Sequence, residues 1–325
     1  MSYLLRRIGF YAVAAWASIT LAFIIPRMMP GDPATAMLVR FKGKLKPEAI
    51  DALREAFGFT KAPLLEQYWQ YLTHVVRGDL GVSVNYFPET VSGVIGGALG
   101  WTMVLAGVSV VISFLIGSLL GVLAAWRRGS WLDTTVSPVL IFLGAYPYFW
   151  LATVALFVFG FTLDWFPLRH AYADNLPPGI LRFLGSAITH AVMPATTLVI
   201  ATIGGWMLGM RNTMINVLGE DYVTLAHAKG LPSRRVMFRY AARNALLPNV
   251  TGFGMALGFV LSGSLLTEIV FSYPGTGYLL VAAVRSRDYA LIQGLFLTIT
   301  VAVLAANLLV DMIYVWLDPR ARRSS

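Results

Sequence analysis

The sequence predicts an all-α, polytopic membrane protein with six transmembrane helices, and two observations support this prediction. Of its 325 residues, 57% are hydrophobic and only 13% are charged, whereas soluble domains carry about 25% charged residues. Six stretches contain no Asp, Glu, Lys or Arg and are long enough to cross a membrane, which takes about 20 helical residues. Because lipid cannot satisfy unpaired backbone groups, apolar runs of this length indicate helices.

The predicted spans lie at about 8–28, 100–126, 134–162, 187–210, 248–269 and 291–316, within a single transmembrane domain of residues 1–325. Pro138, Pro147 and Pro194 fall inside predicted spans, and we expect each to kink or bound its helix because proline lacks a backbone N–H. Since Arg6 and Arg7 precede the first span, a secretory signal is its alternative interpretation. No clear small-residue cleavage pattern follows that span, which favours a membrane helix.

Basic residues in the short loops predict the orientation. If both termini are cytoplasmic, the inner segments carry thirteen Lys and Arg residues and the short outer loops carry four. The positive-inside rule therefore predicts cytoplasmic termini. The net charge of +9 needs no nucleic-acid partner, because the basic excess lies beside the spans, where anionic lipid is the expected partner. The chain has no cysteine, which excludes disulfides and thiol chemistry.

A helical extracytoplasmic insertion is predicted at about 30–98, after the first span. It contains two segments with helical apolar periodicity, at 46–58 and 64–78. The apolar positions of these segments are Ile50, Leu53 and Phe57 in the first, and Leu65, Tyr68, Trp69, Leu72, Val75 and Val76 in the second. Three interpretations stay open: the two helices lie on the membrane, form a cap over a pore, or pack against the outer ends of the spans.

Small residues inside the spans predict close helix packing. Three G-x-x-x-G pairs occur, formed by Gly117 and Gly121, Gly205 and Gly209, and Gly254 and Gly258. Such pairs let two helix backbones approach closely. A role in lining a pathway or facing another subunit is the alternative for one or two of the pairs, and spacing alone does not choose between these roles.

The chain lacks the patterns of the common catalytic and metal sites. There is no metal-ligand spacing, no H-E-x-x-H and no G-x-S-x-G. The only Gly-Lys pair, at 43–44, is followed by Leu45 and has no glycine five residues before it, so the phosphate-binding loop is missing. Glu268, Asp311 and His190 lie near the ends of predicted spans, where interfacial or helix-pairing roles are expected. We therefore predict no catalytic residue, no bound metal and no cofactor in this chain.

Residues 221–250 form a basic, glycine-broken segment between two apolar spans, and most of it lies in a predicted cytoplasmic segment of about 212–247. A short helix is expected to start at 219–221 and to stop at Gly230 and Pro232, with an apolar face. That face consists of Tyr222, Leu225 and Ala226. A second helix is expected from Ser233. Its apolar row consists of Val236, Met237, Tyr240 and Leu247, opposite Arg235, Arg239 and Arg243. Either the short helix docks into a soluble partner, or the segment lies on lipid headgroups.

This segment resembles the signature, often called the EAA motif, of ABC importer permeases, in the variant of the oligopeptide, dipeptide and nickel branch. The matching positions are Asp221, Tyr222, Thr224, Leu225, Ala226, Ala228, Lys229, Gly230 and Leu231, continued by RNALLP at 243–248. Leu225 replaces the usual alanine, and Thr224 takes the position of the glutamate in the general signature. The long gap between Gly230 and Pro248 is also usual in the peptide branch.

The resemblance covers essentially the whole chain and is to the first permease of the pair. Further matches, in the family's order, are MPGDP at 29–33, RGDLGVSV at 77–84, TEIVFSYPGTGYLL at 267–280, RDYALIQG at 287–294 and NLLVDMIYVWLDPR at 307–320. The resemblance implies the type I ABC importer permease fold in a bacterial plasma membrane. It also implies a non-catalytic subunit of an ATP-driven importer of short peptides. Nickel chelates or glutathione are the alternative cargo.

The partners implied by the resemblance are a second homologous permease, two ATP-binding subunits that hold ATP and Mg, and an extracytoplasmic peptide-binding protein. On this interpretation residues 221–231, with Arg235, contact an ATP-binding subunit as a coupling helix. Residues 267–289 are expected to form an outer re-entrant or scoop-like turn near the pathway mouth, because PGTG at 274–277 breaks the helix. This turn has either a structural or a gating role. The candidate pathway residues are Glu268, Phe271, Tyr273, Pro274 and Gly275.

A membrane-embedded enzyme and a channel are the remaining alternatives. An enzyme would need acid, base or nucleophilic groups that converge within the spans. The four histidines and isolated carboxylates of this chain do not supply such a set. A channel would work without ATPase partners.

Overall fold

The computed structural model describes residues 2–28, 62–258, 260 and 264–317. Its helices, numbered here in chain order, are α1 (Ser2–Met28), α2 (Leu64–Val76), α3 (Val91–Trp126), α4 (Ser137–Gly144), α5 (Tyr148–Ala155), α6 (Ile180–Leu218), α7 (Asp221–Ala228), α8 (Arg243–Gly258), α9 (Leu265–Val270), α10 (Thr276–Ser286) and α11 (Tyr289–Leu317). Three π-helical segments adjoin them: π1 (Leu132–Val136), π2 (Leu156–Thr162) and π3 (Val236–Ala242). A single helical turn, Ser233–Arg235, precedes π3.

Four of these helices are long and apolar enough to cross a membrane. They contain the stretches Gly9–Met28, Val91–Trp126, Ile180–Leu218 and Tyr289–Leu308. The pair Leu132–Gly144 and Tyr148–Thr162 passes the same criteria together and is bent by 98°. The prediction of an all-α, multi-pass membrane protein is therefore confirmed for the described residues. The count of six spans and the complete outer insertion stay predictions.

Prolines explain part of the difference between the predicted and observed helix bounds. Pro147 directly precedes α5 and lies at the 98° bend, and Pro138 lies in the first turn of α4. Both positions suit a residue without a backbone N–H. By contrast, α6 runs through Pro194 without ending. The fifth predicted span, 248–269, overlaps α8 and α9. Residues 259 and 261–263, between these two helices, are not among the described residues.

The chain divides into two compact units, Met1–Thr102 with Pro274–Ser325, and Met103–Tyr273. In the first unit α1 packs along α11, and α10 and α11 meet at a buried carboxylate. Asp288 accepts hydrogen bonds from the Ser83 hydroxyl at 2.5 Å and from the Asn85 N–H at 2.9 Å, both on Oδ2. Its Oδ1 accepts the N–H of Leu291 at 3.1 Å, in the first turn of α11. This carboxylate therefore ties residues 83–85 to the start of α11.

In the second unit α3 and α6 approach closely along a glycine seam. A Cβ added to Gly117 would lie 2.7 Å from Trp206 Cβ, and one added to Gly121 would lie 2.5 Å from the Met207 carbonyl oxygen. The predicted close packing is confirmed for this pair. In the second pair, a Cβ at Gly205 would meet no described atom within 4 Å, whereas one at Gly209 would lie 3.1 Å from Asn249 Oδ1 of α8. The structure tests nothing at Gly254 and Gly258.

One of the two predicted outer helices falls within the described residues. The segment 46–58 lies outside the described residues. The segment 64–78 forms α2, as predicted. Tyr68 and Tyr71 of α2 face Phe23 of α1, with ring centroids 5.2 and 5.5 Å apart. One face of α2 therefore packs against the C-terminal end of α1.

Candidate functional site

The short helix of the basic segment forms where the sequence predicts it. Glu220 has an extended backbone and its carbonyl accepts the N–H of Val223 at 3.0 Å. At the other end the Leu231 N–H donates to the Ala226 carbonyl at 3.3 Å and the Gly230 N–H donates to the His227 carbonyl at 2.9 Å. This pair of bonds is the Schellman motif, which places a left-handed residue after the helix. Gly230 takes that position with φ +73°, so α7 must end there.

One face of α7 belongs to the core of the second unit. Val223 and Ala226 are buried in a cluster with the ends of α3 and α6, which contribute Val122, Ala125, Met210 and Met214. The predicted apolar face of Tyr222, Leu225 and Ala226 is wrong in one member, because Ala226 is buried whereas Tyr222 and Leu225 are exposed. Residues three apart share a helix face, so Ala226 follows Val223 inward. The cluster fixes α7 to both long helices.

The opposite face of α7 is open and partly apolar. Asp221, Tyr222, Thr224, Leu225 and Ala228 line a shallow groove of about 580 Å³. Leu225 is 55% exposed, so a partner that covered it would gain free energy from its burial. The Tyr222 hydroxyl accepts a hydrogen bond from Asn244 Nδ2 at 2.8 Å. The RNALLP stretch thereby orients one wall of the groove.

The remaining predicted coupling residues surround the helix end. Lys229, Gly230 and Arg235 are exposed, and Leu231 packs against the core cluster. None of these positions establishes a contact with another protein, so the coupling role stays a prediction.

The segment after Ser233 departs from the predicted helical register. Val236 and Met237 are buried as expected, but Tyr240 and Leu247 are exposed. The buried row continues instead through Ala241, Ala242 and Ala245. The reason is π3, whose i→i+5 bonding holds more residues in each turn than an α-helix does. The inward face therefore moves by about one residue, from position 240 to 241.

The candidate pathway residues are largely buried inside their own units. Glu268, Phe271 and Tyr273 are almost inaccessible. Glu268 Oε1 accepts the Ser264 hydroxyl at 2.7 Å, and its carbonyl accepts the Tyr273 N–H at 2.8 Å. The Phe271 carbonyl accepts the His170 N–H at 3.2 Å. These contacts describe a folded turn, and a gating role for it stays a prediction.

Pro274 and Gly275 follow this turn at the start of the other unit's second segment. Gly275 is buried and directly precedes α10. The Thr276 N–H donates to Thr102 Oγ1 at 2.8 Å, so the start of α10 is held by α3. The PGTG stretch therefore begins a helix.

Sequence reasoning missed two contacts near α7. The His227 ring stacks on Trp126, the last residue of α3, with centroids 5.9 Å apart and an interplanar angle of 22°. Arg211 of α6 pairs with Asp133 of π1 at 2.6 Å. Opposite charges at the ends of two neighbouring spans are a signal that would have suggested the second contact. No local pattern points to the first, because its residues lie about 100 positions apart.

Comparison with known proteins assigns the family. Residues 117–323 match the family described as the inner membrane component of binding-protein-dependent transport systems. Residues 1–92 match the N-terminal part described for membrane components of such systems. These two matches include the segments singled out from the sequence.

Individual relatives match over nearly their whole length. A Brucella suis biovar 1 protein with peptide permease in its name is 37% identical, over 93% of each chain. The oligopeptide transport system permease protein AppB of Bacillus subtilis is 34% identical over 92% of each chain. The di/tripeptide transport system permease protein DppB of Pseudomonas aeruginosa is 33% identical over 99% of each chain.

These matches confirm the resemblance found in the sequence and decide against the enzyme and channel alternatives, since the family consists of membrane components of transport systems. The chain therefore belongs to the family of inner membrane components of binding-protein-dependent transport systems, as a non-catalytic, membrane-spanning permease subunit of an ABC transporter.

Proposed function

We propose that this permease subunit is part of an importer of short peptides that works by alternating access. ATP hydrolysis on partner subunits, which bind α7, drives the transport. The coupling role is supported by the two faces of α7. Its inner face is buried against this subunit, and its outer face lines an open groove. The peptide cargo is supported by the relatives, whose names specify peptide, oligopeptide or di/tripeptide transport.

The coupling role follows from how α7 is attached. Its inner face packs against α3 and α6 through Val223 and Ala226, and His227 stacks on Trp126 at the end of α3. A force applied to the outer face therefore acts on two long helices at once, because close-packed interiors transmit strain. Closure of an ATPase pair would rock this subunit between outward and inward access.

The apolar part of the groove supports a protein partner over lipid headgroups. Leu225 is exposed and lines the groove together with Asp221 and Thr224. Apolar side chains surrounded by polar groups are typical of protein interfaces. We assign this groove to a cleft in one ATP-binding subunit.

The rest of the proposed assembly follows from the family. It contains a second, similar permease, two ATP-binding subunits that carry ATP and Mg, and an extracytoplasmic peptide-binding protein. This chain itself is proposed to bind no cofactor and no metal. The distribution of basic residues supports an orientation with both termini in the cytoplasm.

Two experiments test the proposal. Purification in mild detergent should recover a second permease and ATP-binding chains with this subunit. Because the chain has no cysteine, a photoreactive maleimide on Leu225→Cys should then label an ATP-binding subunit. Leu119→Cys, an exposed position on α3, serves as the control. Labelling of lipid alone at position 225 would refute the docking role.

The cargo is tested by uptake into vesicles that contain the purified assembly and ATP. A radiolabelled tripeptide supplied with the binding protein should accumulate, and unlabelled tripeptide should compete with it. Glutathione and a nickel–histidine chelate are the informative competitors. Stronger competition by either compound than by peptide would reject peptide as the main cargo and leave the transport mechanism intact.

A further inference from the structure

The helix α2 has three distinct sides, although it is only 13 residues long. At 100° per residue, Gln67, Tyr68, Tyr71 and Val75 fall on one side, and Glu66, Gln70, Thr73 and His74 fall on a second. The third side carries Leu65, Trp69, Leu72 and Val76, called here the apolar stripe. The spacing i, i+4, i+7 and i+11 makes this stripe continuous along the helix.

The first side of α2 is attached to α1. The Tyr68 hydroxyl shares a hydrogen bond with Thr20 Oγ1 at 2.8 Å. Gln67 Oε1 accepts both the Nε and one terminal N–H of Arg27 at 3.4 Å. The Arg27 guanidinium in turn lies 3.6 Å from the centre of the Phe23 ring. These contacts fix the position of α2 along α1.

That position corresponds to a definite depth in the membrane. The apolar part of α1, Gly9–Met28, has 20 residues and so is about as long as the hydrocarbon core is thick. Thr20 precedes the end of this part by about 12 Å, at 1.5 Å per residue, whereas Arg27 lies at its end. Helix α2 therefore lies beside the last two turns of a membrane span and not beyond it.

Three of the four residues of the apolar stripe, Leu65, Trp69 and Val76, are exposed within the described chain, and Leu72 is half-buried. Trp69 is 63% exposed and Val76 is 86% exposed. Tryptophan is enriched where the hydrocarbon meets the headgroups, and a helix with one apolar and one polar side is stable in the plane of that boundary.

The second side of α2 is suited to water. His74 Nδ1 and Asp79 Oδ2 form an exposed pair 3.0 Å apart. The hydrogen bonds from the Gly81 N–H and the His74 ring hold the pKa of Asp79 below its usual range, because they stabilise the ionised carboxylate. The polar and apolar sides of α2 thus require different surroundings.

We infer that α2 lies in the plane of the membrane, at the boundary between headgroups and acyl chains of the leaflet in which α1 ends, with the apolar stripe inserted into lipid. At the depth set by Thr20 and Arg27, the apolar stripe contacts the acyl chains of the bilayer. This assignment combines two of the three interpretations left open for this segment, since α2 packs against the end of α1 on one side and lies on the membrane with another. A cap over a pore is excluded by it, because the stripe faces lipid.

Spin labels at introduced cysteines test this inference, since the chain has none of its own. Single variants Trp69→Cys and Gln70→Cys place the label on adjacent residues that point about 100° apart. The labelled subunit is studied with its co-purified partners in nanodiscs of phosphatidylethanolamine and phosphatidylglycerol, 3:1. Collision with oxygen reports lipid, and collision with a water-soluble nickel complex reports water. Val76→Cys repeats the measurement if Trp69→Cys accumulates poorly.

We expect the ratio of oxygen to nickel collisions to be severalfold higher at position 69 than at position 70. A nickel collision rate at 69 equal to or above that at 70 would show a water-exposed stripe and overturn the inference. Exclusion of both reagents at 69 would show that another protein covers the stripe, and this result would overturn it as well.

Discussion

Truncating the exposed leucine of α7 should weaken binding of an ATP-binding subunit without weakening the fold. The change is Leu225→Ala. Burying a whole leucine side chain contributes about 1.5–3 kcal/mol, and Leu225 is 55% exposed before docking. Docking can therefore gain about half of that contribution, roughly 1–1.5 kcal/mol. A loss of this size raises the Kd about five- to twelvefold.

The assay titrates purified ATP-binding subunit onto the membrane subunits in nanodiscs and follows binding by the anisotropy of a dye on the ATP-binding subunit. Leu119→Ala is the matched control, because it makes the same chemical change at a 48% exposed position on a membrane span. We expect its Kd to equal that of the parent. The thermal midpoint of Leu225→Ala should also match the parent, since the removed atoms make few contacts within this chain.

A Kd for Leu225→Ala within twofold of the parent value, at normal protein level, would refute the reasoning. The groove on α7 would then be no protein interface. Val223→Ala separates the two faces further. It removes two methyl groups from the core cluster, so it should lower the free energy of unfolding by about 2 kcal/mol.

Three further substitutions test contacts described above. Gly121→Ala places a methyl group 2.5 Å from a backbone oxygen and should lower the free energy of unfolding by about 1–3 kcal/mol. Gly205→Ala has open space around the added methyl group and should leave the thermal midpoint unchanged or raise it, because alanine has the higher helix propensity. Equal midpoints for the two variants would contradict the glycine seam. Asp288→Ala removes the acceptor of hydrogen bonds from a hydroxyl and two amides and should lower the free energy of unfolding by about 3 kcal/mol. Ser83→Ala should lower it by about 1 kcal/mol. A larger loss for Ser83→Ala in chemical denaturation would contradict the role of the buried carboxylate. Gly230→Ala places a residue with a side chain at φ +73°, which costs about 1–2 kcal/mol. This variant should reduce ATP-driven uptake at a normal protein level. Uptake equal to that of the parent protein would show that the C-terminal cap of α7 is not needed.

The bounds of α7 could be predicted because its signals are local. Asp221 is the first residue of this short helix, and Gly230 lies two residues after its last residue, Ala228. Which side of α7 is buried was not predictable, because the helix has apolar residues on two sides and only the ends of α3 and α6 decide between them. For this reason a bulky residue at Ala226 would disturb the core before it tested docking.

Long-range contacts and unusual winding explain most of the other differences. The hydrogen bond between Ser83 and Asp288 joins residues 205 positions apart, and no spacing rule covers that distance. The π3 winding shifts the buried row to Ala241, although the α-helical period of the sequence gives no sign of it. Gly121 and Gly205 occur in identical motifs, but only one of them meets a neighbouring helix. A motif shows that close approach is feasible and does not name the neighbour.

The bend at Pro147 has a consequence for the lifetime of the newly made subunit. It joins two apolar segments, Leu132–Gly144 and Tyr148–Thr162, of about 20 and 22 Å at 1.5 Å per residue, and neither is long enough to cross the hydrocarbon unaided. Irregular backbone at that depth is stable only against protein or water. Residues 144–147 at this bend are exposed within this chain, so their backbone needs a neighbouring subunit or water beside it. We therefore expect a copy made without its partner subunits to be degraded faster than an assembled one.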